Sequence, residues 1–488
     1  MLTLRRVAVL LAVVLSAGLA TVWAEGRGAG VTGLTFAASL SSQQTAELRQ
    51  IIADPLLKKA KVTAQVLNVR TGQVLFAENP DLFVMPASTN KLVTAGAAMA
   101  VLGPNYQFAT RVLADHRPDE NGVINGNLYI VGGGDPTLTI EKVWLLAHGV
   151  RIAGVKKVTG DLVGDDSFHD NVRFYPEWGR QSFRAYHASL GALSVNWNTI
   201  TFWVRPGPRP GTPAVVTLDP HPAGMHLTGT IQTVEGARSK CTMSMNHDHV
   251  EVSGTIGVES NPGPTHQAIH EPLEFALGAI REQLTREGVE IVGASRAGAT
   301  PSQATLIHEH QSDFLSQIIR NLYRWSNNFT AEQIFRTLGA VRGGAPGTRA
   351  KGAAAVEAWL RENNLWRDGI VIFDGSGLSR DNRESASTMV GVLNWMAHNP
   401  PLFAQYLEAQ PIAGVDGTMR FRFKHSPLNG RVRAKTGLLD GAIGLGGYCY
   451  DARNELYAFT VLINDFDPRE GVHGPQRVTE HLLEVLMQ

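Results

Sequence analysis

Residues 85–99 read MPASTNKLVTAGAAM, and within them Ser88 stands three positions before Lys91. Pro86 and Ser88 mark a helix start. Positions three apart share one helical face, which lays the Lys91 ammonium against the Ser88 hydroxyl. From Leu92 to Val101 there is no charge at all, so this helix is expected to be buried on all sides. A serine hydroxyl is a poor nucleophile at neutral pH unless a neighbour takes its proton, and a lysine serves when burial or nearby cations depress its pKa. The pair is either a catalytic dyad or an ordinary surface lysine on a helix, because Ser-x-x-Lys also arises by chance.

Working outward, residues 42–58 place Leu48, Ile51, Ile52, Leu56 and Leu57 at helical spacing, with Ser41 or Ser42 as cap. KVTAQVLNV (61–69) and GQVLFAEN (72–79) flank a turn at Thr71 and Gly72 and read as a β-hairpin leading into the opening stretch. Between about 106 and 300 the texture shifts to short strands broken by Gly, Pro, Asn and Asp, as in LYIVGGGDPTL (128–138) and RPGPRPGTP (205–213). Helical patterns return over 312–339 and 352–364, followed by strands at GRVRAKTG (430–437) and ELYAFTVLIND (455–465) and a closing helix from about 475 to 487. The end of the chain resembles its beginning. The fold class is therefore α/β (α+β), one domain built from 38–105 and 301–488 and interrupted by a β-rich insertion, 106–300, of one or two subdomains.

The 488 residues suffice for two or three domains, each with its own core. With 44 basic and 44 acidic residues, the balance offers no support for nucleic-acid or anionic-membrane binding through bulk charge, so a small or neutral partner is expected. Residues 1–24 carry Arg5 and Arg6, an apolar run and small residues ending at Ala24, the pattern of a secretory signal peptide, with an uncleaved membrane anchor as the alternative. No later run is long enough to span a bilayer, so no stable span is expected after processing. Export would permit a disulfide, but Cys241 and Cys449 are the only cysteines and lie far apart in sequence; two unpaired thiols are expected.

Two further stretches change the weight of Ser88 and Lys91. RWSNNFTAEQ (324–333) sits between two helical patterns, so Ser326 and Asn328 are expected on a tight loop presenting a hydroxyl and an amide, although such a triplet is commonly a plain helix cap. Lys435, Thr436 and Gly437 end a strand that precedes the glycine-rich GAIGLGGY (441–448); there they offer a cation and a hydroxyl to a carboxylate, with glycine allowing close backbone approach. The ordinary reading is a strand running into a turn.

In this order and context the three motifs match the set of penicillin-binding proteins and class A β-lactamases. The long separation of Lys91 from Ser326, together with FDGSGLSR (373–380) and AGVDGTMRFRF (413–423), makes the chain resemble the class C low-molecular-mass penicillin-binding proteins, the D-alanyl-D-alanine carboxypeptidase/endopeptidase family S13. That resemblance implies a penicillin-binding/β-lactamase-like serine peptidase domain, an antiparallel sheet flanked by helices. It implies Ser88 as the acyl-accepting nucleophile, Lys91 as its base and Ser326 as a proton relay toward the leaving amine. Asn328 would bind the substrate amide and hold Lys91, and Lys435 and Thr436 would face the terminal carboxylate. The backbone N–H groups of Ser88 and Leu438 would form the oxyanion hole. Arg380 would meet the free carboxylate of the stem-peptide side chain, and Asp170 and Tyr175, in DDSFHDNVRFYPEW (165–178), the amine of that side chain. The implied partners are peptidoglycan stem peptides and, as covalent inhibitors, β-lactams. No cofactor or metal is implied, and the expected location is periplasmic or cell-wall associated.

Leu438 stands where many relatives have a second Thr, and Asn327 where some have Asp, which bears on substrate preference more than on reaction type. Competing readings are a zinc hydrolase using His247, Asp248 and His249 or His308, Glu309 and His310, a catalytically silent peptidoglycan-binding protein, and a β-lactamase. The first lacks a third ligand at a recognised spacing, the second retains every motif residue, and the third lacks a carboxylate motif to activate a deacylating water.

Overall fold

The computed structural model describes residues 33–246, 249–467 and 471–488. The leader-like segment 1–24, together with His247 and Asp248, lies outside them.

The two ends of the chain meet in one antiparallel sheet of six strands, in the order Leu34–Phe36, Val74–Glu78, Lys61–Asn68, Leu456–Asn464, Ala442–Tyr450 and Val432–Leu439. Its closure is the pairing of Lys61–Asn68 with Leu456–Asn464, from Lys61 opposite Asn464 to Asn68 opposite Tyr457. Both faces are covered, and the strands are accordingly apolar on both sides. Phe459, Val461 and Ile463 pack under the helices Ser42–Ile52 and His473–Leu486, whereas Ala458 and Leu462 pack against an all-helical layer. Ser41 caps the first of these helices in a full capping box with Gln44. The helix Lys91–Val101 runs through the middle of the helical layer, buried from Lys91 to Met99 as its charge-free sequence requires.

The chain leaves and re-enters this body on neighbouring strands, because Ala109–Ala114 pairs antiparallel with Thr305–Gln311 in a five-stranded sheet. Three smaller sheets complete the strand-rich region, including Thr199–Arg205 between Val215–Asp219 and Thr265–Ala268. Two helices, Ile140–Ile152 and Pro272–Arg286, also belong to it and share its core through Val143, Leu146, Phe275 and Ile280. The frequent turn residues around them obscure both helices in the sequence. Cys241 and Cys449 are both unpaired, the first in the insertion and the second in the six-stranded sheet. Among the described residues no helix is long and apolar enough to cross a membrane.

Candidate active site

The nucleophile candidate sits on a short 3-10 turn, Ala87–Asn90, that runs directly into the helix Lys91–Val101. Ala87 adopts φ +49°, a left-handed conformation uncommon for a residue with a Cβ. Two glycines let the surroundings close on this turn. A Cβ at Gly377, itself at φ +77°, would lie 1.9 Å from the Ala87 carbonyl oxygen, and one at Gly437 would lie 2.8 Å from that of Pro86. The strand Val432–Leu439 and the loop at 374–379 are thus pressed against Ser88 from two sides.

Lys91 is fully buried. Its Nζ donates to Ser88 Oγ at 2.9 Å, to Asn328 Oδ1 at 2.8 Å and to the Ser376 carbonyl at 2.6 Å. Burial brings the ammonium down to about 7, against the opposing pull of the Asp374 and Glu332 carboxyls. The group therefore changes protonation near neutral pH, as a proton acceptor for a serine must.

The second hydroxyl comes from the junction of two helices. Leu315–Trp325 ends at Ser326, in the left-handed region at φ +54°, and Asn328–Gly343 begins two residues later. Both readings of this triplet hold, divided between two residues. Asn327 is the ordinary cap, its side chain accepting from the Thr330 N–H, while Asn328 turns inward to Lys91 and its Nδ2 donates to the Tyr186 carbonyl at 3.3 Å. Opposite, the buried Lys435 donates to Ser326 Oγ at 2.8 Å and to the Thr436 carbonyl at 2.5 Å. Burial, and next the charge of Lys91, hold Lys435 well below the usual lysine range.

Val432–Leu439 is the outer strand of the six-stranded sheet; residues 411–413 pair with its first part, at Val432 and Ala434, and the edge beyond Ala434 can pair with an extended peptide. Lys435 and Gly437 are buried, while Thr436 is half-buried and Leu438 is exposed, the alternation a strand imposes. Arg380 is exposed and donates to the Asp440 carbonyl at 3.1 Å just beyond that strand. The structure therefore brings Ser88, Lys91, Ser326, Asn328, Lys435, Thr436 and Gly437 into one cleft, with Leu438 and Arg380 at its end.

Asp170 and Tyr175 are occupied differently. The Asp170 carboxylate accepts from the guanidinium of Arg336, a cation with no exposure that needs a partner at that depth. Tyr175 is buried between the Trp178 ring and the Arg349 guanidinium. His308 and His310 lie on Thr305–Gln311, where burial depresses both imidazoles; a Cβ at Gly149 would strike the His308 ring, which packs against the helix Ile140–Ile152. Glu332, Asp374 and Ser376 stand directly around Lys91 but carry no local signal beyond the glycine-flanked "DGSG" of the 374–377 loop.

Such a cleft joins a hydroxyl, an amine that can be neutral, a second hydroxyl held by a second buried lysine, and an open stretch of strand edge, which together suit acyl transfer on a peptide. Residues 44–482 match the D-Ala-D-Ala carboxypeptidase 3 (S13) family. A D-alanyl-D-alanine carboxypeptidase of Actinomadura sp. is 32% identical over 449 residues, covering 88% of this chain and 82% of its own. The crystal structure of penicillin-binding protein 4 from Haemophilus influenzae has a TM-score of 0.76 at 26% identity, over 90% of this chain and 99% of that one. The same protein complexed with a β-lactam gives 0.72 at 25% identity, over 91% and 99%. Match, identity and geometry together make the chain a member of the D-Ala-D-Ala carboxypeptidase 3 (S13) family of serine hydrolases.

Proposed function

We propose that this enzyme is exported and hydrolyses peptidoglycan stem peptides and their cross-links after D-alanine, through an acyl-enzyme on Ser88. The observation that carries the reading is the convergence on one buried amine: Lys91 Nζ lies 2.9 Å from Ser88 Oγ and 2.8 Å from Asn328 Oδ1.

In its neutral form Lys91 accepts the Ser88 proton as Oγ attacks the D-alanyl carbonyl carbon, and the backbone N–H groups of Ser88 and Leu438 receive the developing oxyanion. The C–N bond then breaks. Ser326, held by Lys435, relays the proton taken up by Lys91 to the departing amine, which leaves Lys91 neutral again, and Thr436 and Lys435 face the terminal carboxylate. Water attacks the ester, returns a proton to Ser88 Oγ and releases the shortened peptide. Asn328 orients the scissile amide. Of the side chains expected around the stem-peptide side chain, Arg380 is proposed to meet its free carboxylate from the cleft end, where it is exposed, whereas Asp170 already pairs with Arg336 and Tyr175 is buried.

β-Lactams are proposed to acylate Ser88 because their strained amide resembles the D-alanyl-D-alanine bond, in keeping with the β-lactam complex of the Haemophilus relative. The test is a fluorescent penicillin together with defined muropeptides. Wild-type protein should form a long-lived adduct and release D-alanine or separate cross-linked dimers, and Ser88→Ala should do neither. Cleavage or labelling that survives in Ser88→Ala defeats the assignment.

A further inference from the structure

The base candidate is not placed by its own helix alone. Three side chains of the nucleophile segment reach across to consecutive carbonyls of one loop: Asn90 Nδ2 donates to Asp374 O at 2.8 Å, Thr94 Oγ1 to Gly375 O at 2.8 Å and Lys91 Nζ to Ser376 O at 2.6 Å. A loop that takes three such bonds fixes the ammonium only if it is itself fixed. Two fully buried carboxyls do this.

Asp374 turns back into its own loop. It accepts from the N–H of Gly377 at 2.7 Å, the N–H of Ser379 at 2.8 Å and Asn382 Nδ2 at 2.9 Å. Its remaining partner comes from the strand-rich insertion, where Trp178 Nε1 donates to Oδ2 at 2.8 Å. Glu332, on the helix that begins at Asn328, accepts from the Ser376 N–H at 2.7 Å, so it holds the peptide next to the carbonyl that Lys91 uses. The chain is packed tightly enough here that a Cβ at Gly375 would lie 2.5 Å from Phe335 Cβ.

We propose that Asp374, Glu332 and Trp178 are positioning residues for the reaction: the two carboxyls hold the Ser376 carbonyl against Lys91, and the insertion completes that support through the Trp178 indole. This rests on the DD-peptidase reading and adds to it a role for the insertion in holding the base. Burial raises the Glu332 carboxyl to about 8. Its charge, where present, favours the protonated form of Lys91, as does that of Asp374. Glu332 is mostly protonated where Lys91 titrates, so it is removal of the Asp374 charge that lets Lys91 lose its proton at lower pH.

The experiment measures the acylation rate constant of the full-length enzyme with fluorescent penicillin across pH, alongside the final stoichiometry of labelling. The endpoint counts folded sites, and the rate constant reads positioning. Trp178→Phe keeps a ring and loses one bond to a buried carboxyl, and should slow acylation about tenfold at full stoichiometry. Asp374→Asn places an NH₂ among N–H donors and should slow it about a hundredfold, the cost of a displaced catalytic group. Loss of the Asp374 charge should also move the acid limb of the rate profile to lower pH, which a merely structural role would not do, while Glu332→Leu, which leaves the Ser376 N–H unpaired, should slow acylation about tenfold. Wild-type rates in Trp178→Phe and Glu332→Leu and an unmoved limb in Asp374→Asn, with Ser88→Ala unlabelled, overturn the proposal and leave the peptidase reading intact. A wild-type protein that is never labelled overturns both.

Discussion

The peptidase body and the insertion both carry solvated charged pairs, but the body also buries two lysines whole. Lys61 with Asp465 at 2.9 Å in the body and Lys157 with Glu290 at 3.1 Å in the insertion lie in water, with side chains 49–62% and 41–60% exposed. Solvent screens such pairs, and each contributes little. In the body, Lys91 and Lys435 have no exposure, and no ion pair within 4 Å is formed by either among the described residues. Their partners are hydroxyls, carbonyls and an amide. Burying an ammonium against neutral acceptors penalises its charged form, so a side chain that merely solvates an exposed pair becomes able to act as a base in the cleft.

The sharpest way to break this contrast is to delete the buried amine. Lys91→Ala should lower penicillin acylation by about 10³-fold or more, since a group acting as part of a unit takes the unit with it; stopped-flow labelling checks this. A loss under tenfold would mean that Lys91 is only a buried support. Next comes the fit between strand and turn. Gly437→Ala puts a Cβ 2.8 Å from the Pro86 carbonyl oxygen, so the strand must back away from Ser88 and acylation should fall about a hundredfold. Thermal melting should show the protein still folded, because the strand keeps its pairing with Ala442–Tyr450.

Titration sharpens the comparison further. Because burial lowers Lys91 to about 7, its competence as a base is present above that pH and lost as pH falls through it. The acylation rate should drop roughly tenfold for each pH unit well below 7, as seen in rate profiles at constant ionic strength, and a rate flat down to pH 5 would contradict the protonation state assigned to the base. At the small end, Lys157→Ala in the insertion should change stability by about 0–1 kcal/mol, readable by urea unfolding, and leave acylation where it was.

Much of this contrast is legible before folding is considered. The charge-free run after Lys91 announces a buried helix, and burial is the property that makes the lysine useful. The Ser326, Asn327, Asn328 triplet is legible only in part: sequence offers a cap or a catalytic pair, and the structure assigns the cap to Asn327 and the inward amide to Asn328. Asp374, Glu332 and Trp178 are not legible as a group, since an acid in a glycine-rich loop, an acid on a helix and a tryptophan near an acidic stretch have no common spacing. Asp170 shows the converse. An acidic stretch suggests an exposed partner for an amine, but the cation that claims this carboxylate, Arg336, is buried and lies 166 residues away.

By itself, then, the sequence determined the elements and the chemistry on offer: a hydroxyl and an amine three apart, a second hydroxyl between helices, a lysine at the end of a strand, and a change of texture that marks the insertion. Those follow from local spacing and hydrophobic period. What tertiary structure decided was which groups lose their water together. Protonation state and aim depend on burial and on partners brought in by strand pairing between the two ends of the chain, and no local pattern encodes that distance.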